Sequence, residues 1–166
     1  SGPWEGQRGF SEQNMIEASK IAVRNGEFSL RDASFVIPQG KYGVLMGRTG
    51  SGKTTLLEAV CGLKRIESGL LRLGDRNVTR LRPSQRGIGF VPQEGSLFAT
   101  MNVRRHLAFP LSVRRLGRQA IGERVEELAA LLGLGELLTR YPSQLSGGER
   151  QRVALGRALA FRPSVL

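Results

Sequence analysis

Residues 47–54 read Gly-Arg-Thr-Gly-Ser-Gly-Lys-Thr, a complete G-x-x-x-x-G-K-[ST] pattern. The flanks decide how it is read. Upstream, Tyr42 to Met46 (Tyr-Gly-Val-Leu-Met) is a short apolar run of buried-strand length. Downstream, Lys53 to Leu63 places Leu56, Leu57, Val60 and Leu63 at core-facing helical spacing, and Gly62, Lys64 and Arg65 supply the glycine and basic residues that helix C-termini favour. A strand that runs through a glycine loop into a helix predicts an α/β fold of the P-loop kind. Gly47, Gly50 and Gly52 let the backbone curl so that N–H groups point inward, and the helix start aims its positive dipole end at the same place. Lys53 would reach the β- and γ-phosphates of a nucleoside triphosphate, and the Thr54 hydroxyl would ligate Mg²⁺. The candidate nucleotide-contacting residues here are Gly47, Arg48, Thr49, Gly50, Ser51, Gly52, Lys53, Thr54 and Thr55. The alternative is a glycine-rich turn before an ordinary helix; the strand and helix on either side weigh against it.

Composition narrows the class. A chain of 166 residues fits one domain. Its 22 glycines exceed the usual ~7% and suit turns and phosphate loops. Cys61, the single cysteine, excludes an intramolecular disulfide and sits in an apolar helical stretch, as an inert packing residue does. No apolar run of about 20 residues is present to span a membrane. The net charge of +11 raises nucleic acid as a partner. The arginines are dispersed, however, with small clusters only at Arg104-Arg105 and Arg114-Arg115 plus Arg118, and few aromatics lie among them to stack bases. No nucleic-acid partner is therefore expected.

Ile16 to Val23 and Glu27 to Ile37 read as strands joined at Asn25-Gly26. Leu70 to Leu73 and Ile88 to Val91 read as further strands. Val103 to Leu138 has a helical pattern, with Val125, Leu128, Ala129, Leu131 and Leu132 forming an apolar stripe. Pro142 interrupts it, and Gly147 to Phe161 reads as a last helix with Val153, Leu155 and Leu159 partly inward.

A second motif precedes that helix: Leu-Ser-Gly-Gly-Glu at 145–149. With Gly-Leu-Lys-Arg-Ile-Glu-Ser-Gly (62–69), Arg-Gly-Ile-Gly-Phe-Val-Pro-Gln (86–93), Leu-Phe (97–98) and the continuation to Leu155, it makes the chain from Ile16 to Leu166 resemble the ATP-binding subunit of ABC transporters, in the importer style. The resemblance implies a P-loop NTPase core with an N-terminal antiparallel β subdomain and an inserted helical subdomain. Its divisions would be a leader at 1–14 (a tag remnant or disordered arm in which Trp4 and Phe10 could still pack), the β subdomain and core at 15–93, the helical subdomain at 94–144, and the signature helix at 145–166. It implies that Ser146, Gly147 and Gly148 contact the γ-phosphate of ATP held by a second nucleotide-binding subunit in a head-to-tail dimer. A serine N-cap with a glycine pair is the alternative. It implies that Gln93 acts in catalysis and ligates Mg²⁺, and that an aromatic residue of the first strands, best placed at Phe28 with Tyr42 behind it, stacks on adenine.

The implied cofactors are ATP and Mg²⁺. The implied partners are the second subunit and a transmembrane permease, and the implied location is the cytoplasmic face of the cell membrane. The details look most like importers of molybdate, tungstate or sulfate, with sugar and polyamine importers close behind. DNA-repair and chromosome-organising ATPases share both motifs but separate them by long coiled-coil arms, whereas about ninety residues intervene here without sustained heptads. Glu149 replaces the commoner glutamine, Gly156 the commoner alanine and Arg48 a common proline. The only histidine, His106, matches no family histidine and reads as a surface or packing residue. The resemblance breaks off at Leu166, before the family's catalytic carboxylates and switch histidine. The expectation for these 166 residues is accordingly a core lacking its C-terminal part, no turnover of ATP, and self-association or rearrangement at the uncovered sheet edge.

Overall fold

A computed structural model describes residues 14–93 and 96–166; the leader expected at 1–14 lies outside it except for Asn14, which already belongs to the first strand. The chain divides at Arg86 into two compact units.

The first unit is a four-stranded antiparallel sheet and a helix. β1 (Asn14–Asn25) and β2 (Phe28–Pro38) form a hairpin, α1 is Lys53–Cys61, β3 is Ser68–Leu73, β4 is Arg76–Asn77, and the short α2 is Pro83–Arg86. The sheet order is β2-β1-β3-β4. Alternation along β1 turns Ile16, Ala18, Ile21 and Val23 inward, where they form the core with Leu56, Ala59 and Val60 of α1 and with Ile66, Leu71, Leu73 and Val78. The register of β1 slips near Lys20, a residue at φ 49°. There Gly69 comes so close that a Cβ would collide with the Lys20 carbonyl oxygen.

Two expectations fail in this unit. Tyr42 to Met46 is not a strand: residues 41–48 have neither helix nor strand pairing, and Tyr42, Val44 and Met46 are exposed by 98%, 79% and 84%. A strand is stabilised by cross-strand pairs, and among the described residues none is offered to this segment. On α1, Leu56 and Val60 are buried as expected, but Leu57 and Leu63 are half exposed. The helix stops at Gly62, in the left-handed region, so Leu63 lies beyond the turn that would carry it inward.

The second unit is helical. α3 (Val103–Val113), α4 (Arg118–Leu132) and α5 (Gly147–Leu159) pack around Val103, Leu107, Leu111, Val125, Leu128, Leu134 and Val153, with 3-10 turns at Gly135–Leu137 and Pro142–Gln144. The single helical pattern read over Val103–Leu138 is thus two helices and a turn, parted at Gly117. Asn102 caps α3, its side chain accepting from the Arg105 N–H at 2.9 Å. Pro110 lies inside α3 and leaves the His106 carbonyl without its usual donor four residues on. The stripe on α4 is correct for Val125, Leu128 and Ala129, but Leu131 is 68% exposed. The strand expected over Ile88–Val91 is reduced to one parallel bridge, Ile88 with Val165, supported by the Gly89 N–H on the Val165 carbonyl at 2.8 Å.

Arginine, which makes up all but four of the 25 basic residues, closes the C-terminal ends of helices. Arg86 donates to Ala59 and Val60 at the end of α1 (2.7 and 2.8 Å), Arg152 to Leu132 at the end of α4, and Arg124 to Leu159 and Ala160 at the end of α5. Helix-end carbonyls lack the usual intrahelical donors and carry the negative end of the helix dipole; those of Ala59 and Leu159 also accept from the Gly62 and Arg162 N–H groups. Part of the basic charge therefore has a structural role.

Gly156 looks like a weak point in α5, since glycine costs a helix interior ~1 kcal/mol relative to alanine. The packing reverses that reading. A Cβ at 156 would stand 2.5 Å from Leu107 Cδ2 and 2.9 Å from Leu132 Cδ1, so glycine lets α5 approach α3 and α4. Gly156→Ala is expected to lower stability by about 1 kcal/mol, overpacking of ~1–3 kcal/mol outweighing the gain in propensity. A urea melt showing the variant more stable than the parent would refute this.

Candidate functional site

The loop from Gly47 to Thr54 enters α1 through two left-handed glycines, Gly50 (φ 83°) and Gly52 (φ 89°), a conformation that residues with a Cβ avoid. Gly52 is the N-cap of α1, and no side chain caps this helix start. The first N–H groups of α1 have no partner within the helix, so the end that needs an anion is the end the loop presents. The Lys53 ammonium folds back and donates to the carbonyls of Gly47 and Arg48, both at 2.8 Å. The Ser51 N–H donates to the Arg48 carbonyl at 3.2 Å. The loop is held in a curl by its own lysine. Thr54 is exposed and Thr55 buried, so of the two hydroxyls Thr54 is the one that faces out; Arg48, Thr49 and Ser51 are exposed beside it.

Phe28, at the start of β2, reaches this loop. Its ring lies where a Cβ on Gly52 would come within 2.6 Å of Cζ. The structure therefore brings Phe28 and the loop together, with the ring against the α1 N-cap. Tyr42 stands clear, almost fully exposed.

Ser146, Gly147 and Gly148 open α5. The Ser146 hydroxyl accepts from the Glu149 N–H at 3.3 Å, and the Glu149 carboxylate accepts from the Ser146 N–H at 2.6 Å, a reciprocal capping box. The Ser146 backbone N–H, and then its hydroxyl contact, hold the Glu149 carboxyl below the usual glutamate range. The serine is thus an N-cap, and Gly147 and Gly148 beside it are exposed, with nothing within 4 Å of a Cβ at either. Gln93 is exposed at the end of the segment that starts at Gly87. Among the described residues no group of three or more His, Cys, Asp or Glu is placed to hold a metal ion. A hydroxyl and an amide oxygen suit Mg²⁺, which keeps waters and phosphate oxygens as its other ligands. No helix among the described residues is long and apolar enough to cross a membrane.

Arg86 and Arg157 have tight roles that nothing in the sequence marked, and His106, expected on the surface or in the packing, is packed inside. Arg86 is buried and donates four hydrogen bonds, to Ala59, Val60, Thr79 and Leu81. It lies beside Cys61, whose thiol burial pushes up, away from the reactive thiolate. Arg157 donates to the Ser96 carbonyl at 2.8 Å. His106 is fully buried, its ring stacked on Phe98 and its Nε2 3.1 Å from the Phe98 carbonyl oxygen. That bond makes Nε2 the donor. Nδ1 has no hydrogen-bond partner among the described residues.

Burial pushes the His106 pKa down, the bond to Phe98 opposes this, and the charge of Arg157 lowers it further. The unfolded chain therefore takes up this proton first, as pH falls through about 6.5. His106 stabilises the fold above that pH, and the contribution is lost as pH falls toward the depressed folded value. The melting temperature is expected to drop between pH 7.5 and pH 5, with a shallower drop in His106→Asn; parallel profiles for the two proteins would exclude His106 as the cause.

Two helix starts carry glycines at their openings, α1 with its uncapped Gly52 and α5 with Gly147 and Gly148 after the Ser146 cap. The family described as ABC transporter matches residues 30–166, and the chain belongs to it. Among named relatives, the molybdate/tungstate import ATP-binding protein WtpC of Thermococcus kodakarensis is 44% identical over 84% of this chain and 42% of its own length. The sulfate/thiosulfate import ATP-binding protein CysA of Nocardia farcinica is 43% identical over 92% and 46%. The sn-glycerol-3-phosphate import ATP-binding protein UgpC of Jannaschia sp. is 44% identical over 91% and 44%. The chain thus spans less than half the length of these curated relatives. The solved dimeric ATP-binding cassette MJ0796, in a post-hydrolysis state bound to ADP and Pi, superposes with a TM-score of 0.77 at 25% identity, over 90% of this chain and 71% of that one. The fold is that of an ABC ATPase.

Proposed function

We propose that this chain is the ATP-binding part of a subunit that powers solute import. It binds MgATP through Gly47–Thr55, with Phe28 beside the loop, and offers Ser146, Gly147 and Gly148 to the nucleotide of a second subunit in a head-to-tail dimer. The observation that carries the reading is the start of α1: left-handed Gly52, no side-chain cap, and a lysine ammonium already held at the loop. Lys53 exchanges its two carbonyl partners for phosphate oxygens, the first N–H groups of α1 take the remaining phosphate charge, and Thr54 and Gln93 hold Mg²⁺. The ion they would hold would supply positive charge to neutralise the phosphates.

In the whole subunit, ATP hydrolysis and the closing and opening of the dimer drive alternating access in a transmembrane permease, on the cytoplasmic face of the membrane. The relatives are named for import of molybdate/tungstate, sulfate/thiosulfate and sn-glycerol-3-phosphate. The solute proposed is an oxyanion of that kind, molybdate, tungstate or sulfate, which other subunits select. Titration calorimetry of the chain tests the binding step: saturable binding of ATP that weakens when EDTA removes Mg²⁺ and is far weaker for AMP. No saturable binding at millimolar MgATP would overturn it. Phosphate release, measured in the same samples, separates binding from turnover.

A further inference from the structure

The geometry points to Arg157 as a positioning residue for Gln93: it clasps the chain just beyond Gln93 to α5, the helix that begins at Ser146. The inference rests on the proposed roles of Gln93 and Ser146–Gly148 and adds a physical connection between them.

Gln93 lies in sequence between two points at which the chain meets one turn of α5, one a close approach and one a hydrogen bond. The first is Gly89, where a Cβ would stand 2.9 Å from the Ala158 carbonyl oxygen. The second is Ser96, whose carbonyl accepts from Arg157 Nη1 at 2.8 Å. The residues it meets, 157 and 158, are neighbours in α5. Ser96 has φ 23°, a conformation a non-glycine residue keeps only when its surroundings enforce it. Two residues on, the Arg157 guanidinium carbon lies 5.9 Å from the centre of the Phe98 ring, within cation–π range. His106 stacks on that ring, Phe109 meets it edge-on at 5.6 Å, and His106 holds the Phe98 carbonyl.

Arg157 is half-buried and has no carboxylate partner among the described residues, so its charge is committed to one carbonyl and one aromatic face. At 1.5 Å per residue, Arg157 lies about 15 Å along α5 from Gly147. A phosphate that pulls on the start of α5 therefore moves the clasp, and with it Gln93.

NMR on the full chain tests this. In the parent chain, backbone order parameters at Gln93 and at 96–98 should be those of rigid backbone, ~0.85. In Arg157→Gln they should fall below ~0.6, with α4 and β1 unchanged. Arg157→Lys, which keeps the charge and a donor, should restore most of the lost order. Unchanged order in Arg157→Gln, loss of order throughout 103–159, or no recovery with lysine would each overturn the proposal. Should Arg157→Gln fail to fold, the parent chain suffices: a clasped guanidinium gives separate, slowly exchanging Nη resonances, and a freely rotating one refutes the clasp. Adding MgATP to the same samples keeps the two readings apart. Silent Gly50 and Gly52 amides would count against nucleotide binding alone, whereas shifted amides with Gln93 indifferent to Arg157 would count against the clasp alone.

Discussion

Replacing Lys53 with alanine is expected to abolish measurable MgATP binding, a loss of at least about a hundredfold in affinity. The ammonium would form charge-assisted hydrogen bonds to two phosphates, each ~1.5–3 kcal/mol, and about 2.7 kcal/mol already corresponds to a hundredfold. The loss has a second source. The same ammonium joins the Gly47 and Arg48 carbonyls, so the alanine chain also loses the curl of the empty loop. Arg48→Ala, which removes an exposed charge that ties nothing together, should weaken binding only severalfold. Calorimetric affinity unchanged in the Lys53 variant would remove the assignment of the loop.

Arg86→Met is expected to destabilise the first unit by about 3 kcal/mol or more. Methionine matches the apolar stem but leaves the carbonyls of Val60, Thr79 and Leu81 without the donor that joins them, and that of Ala59 with the Gly62 N–H alone. Each buried carbonyl left unpaired costs ~1–3 kcal/mol, against a total of ~5–15 kcal/mol for a domain. Lysine would not rescue it, because one ammonium cannot span carbonyls on both α1 and the 79–81 turn as a planar five-donor fork does. Gly62 is part of the fit: a Cβ there would meet Arg86 Nε at 2.7 Å. A urea transition displaced by less than 1 kcal/mol would show that water replaces the guanidinium freely.

Local signals were the legible ones. Asn25-Gly26 announced the hairpin of β1 and β2, the glycine spacing announced the loop, and Ser146 with Glu149 announced the start of α5. Each depends on residues within a few positions of one another. What the sequence hid depends on partners far along the chain. Tyr42–Met46 has the composition of a buried strand, yet composition cannot supply a neighbouring strand. Leu131 fits the stripe of α4 by periodicity and still faces solvent, because periodicity does not show what packs against a face. Gly156 reads as a propensity defect until Leu107 and Leu132 are seen beside it. Arg86 and Arg157 look like any other arginine in a basic chain, since nothing in their neighbours foretells which carbonyls they will meet.

The exposed stretch at 41–48 has a practical consequence. Proteases bind their substrates as extended strands with free backbone groups, and most folded chains offer few such sites. Here Lys41 and Arg48 bracket six exposed positions, outside any helix or strand, between the hairpin and α1. Trypsin should nick the protein at these two bonds before any other among the described residues of the first unit. The nick after Arg48 falls inside the phosphate loop itself, so nucleotide should slow that cut and leave the one after Lys41 nearly unchanged. The ratio of the two fragments on a gel then reports occupancy of the loop, without a label and without turnover.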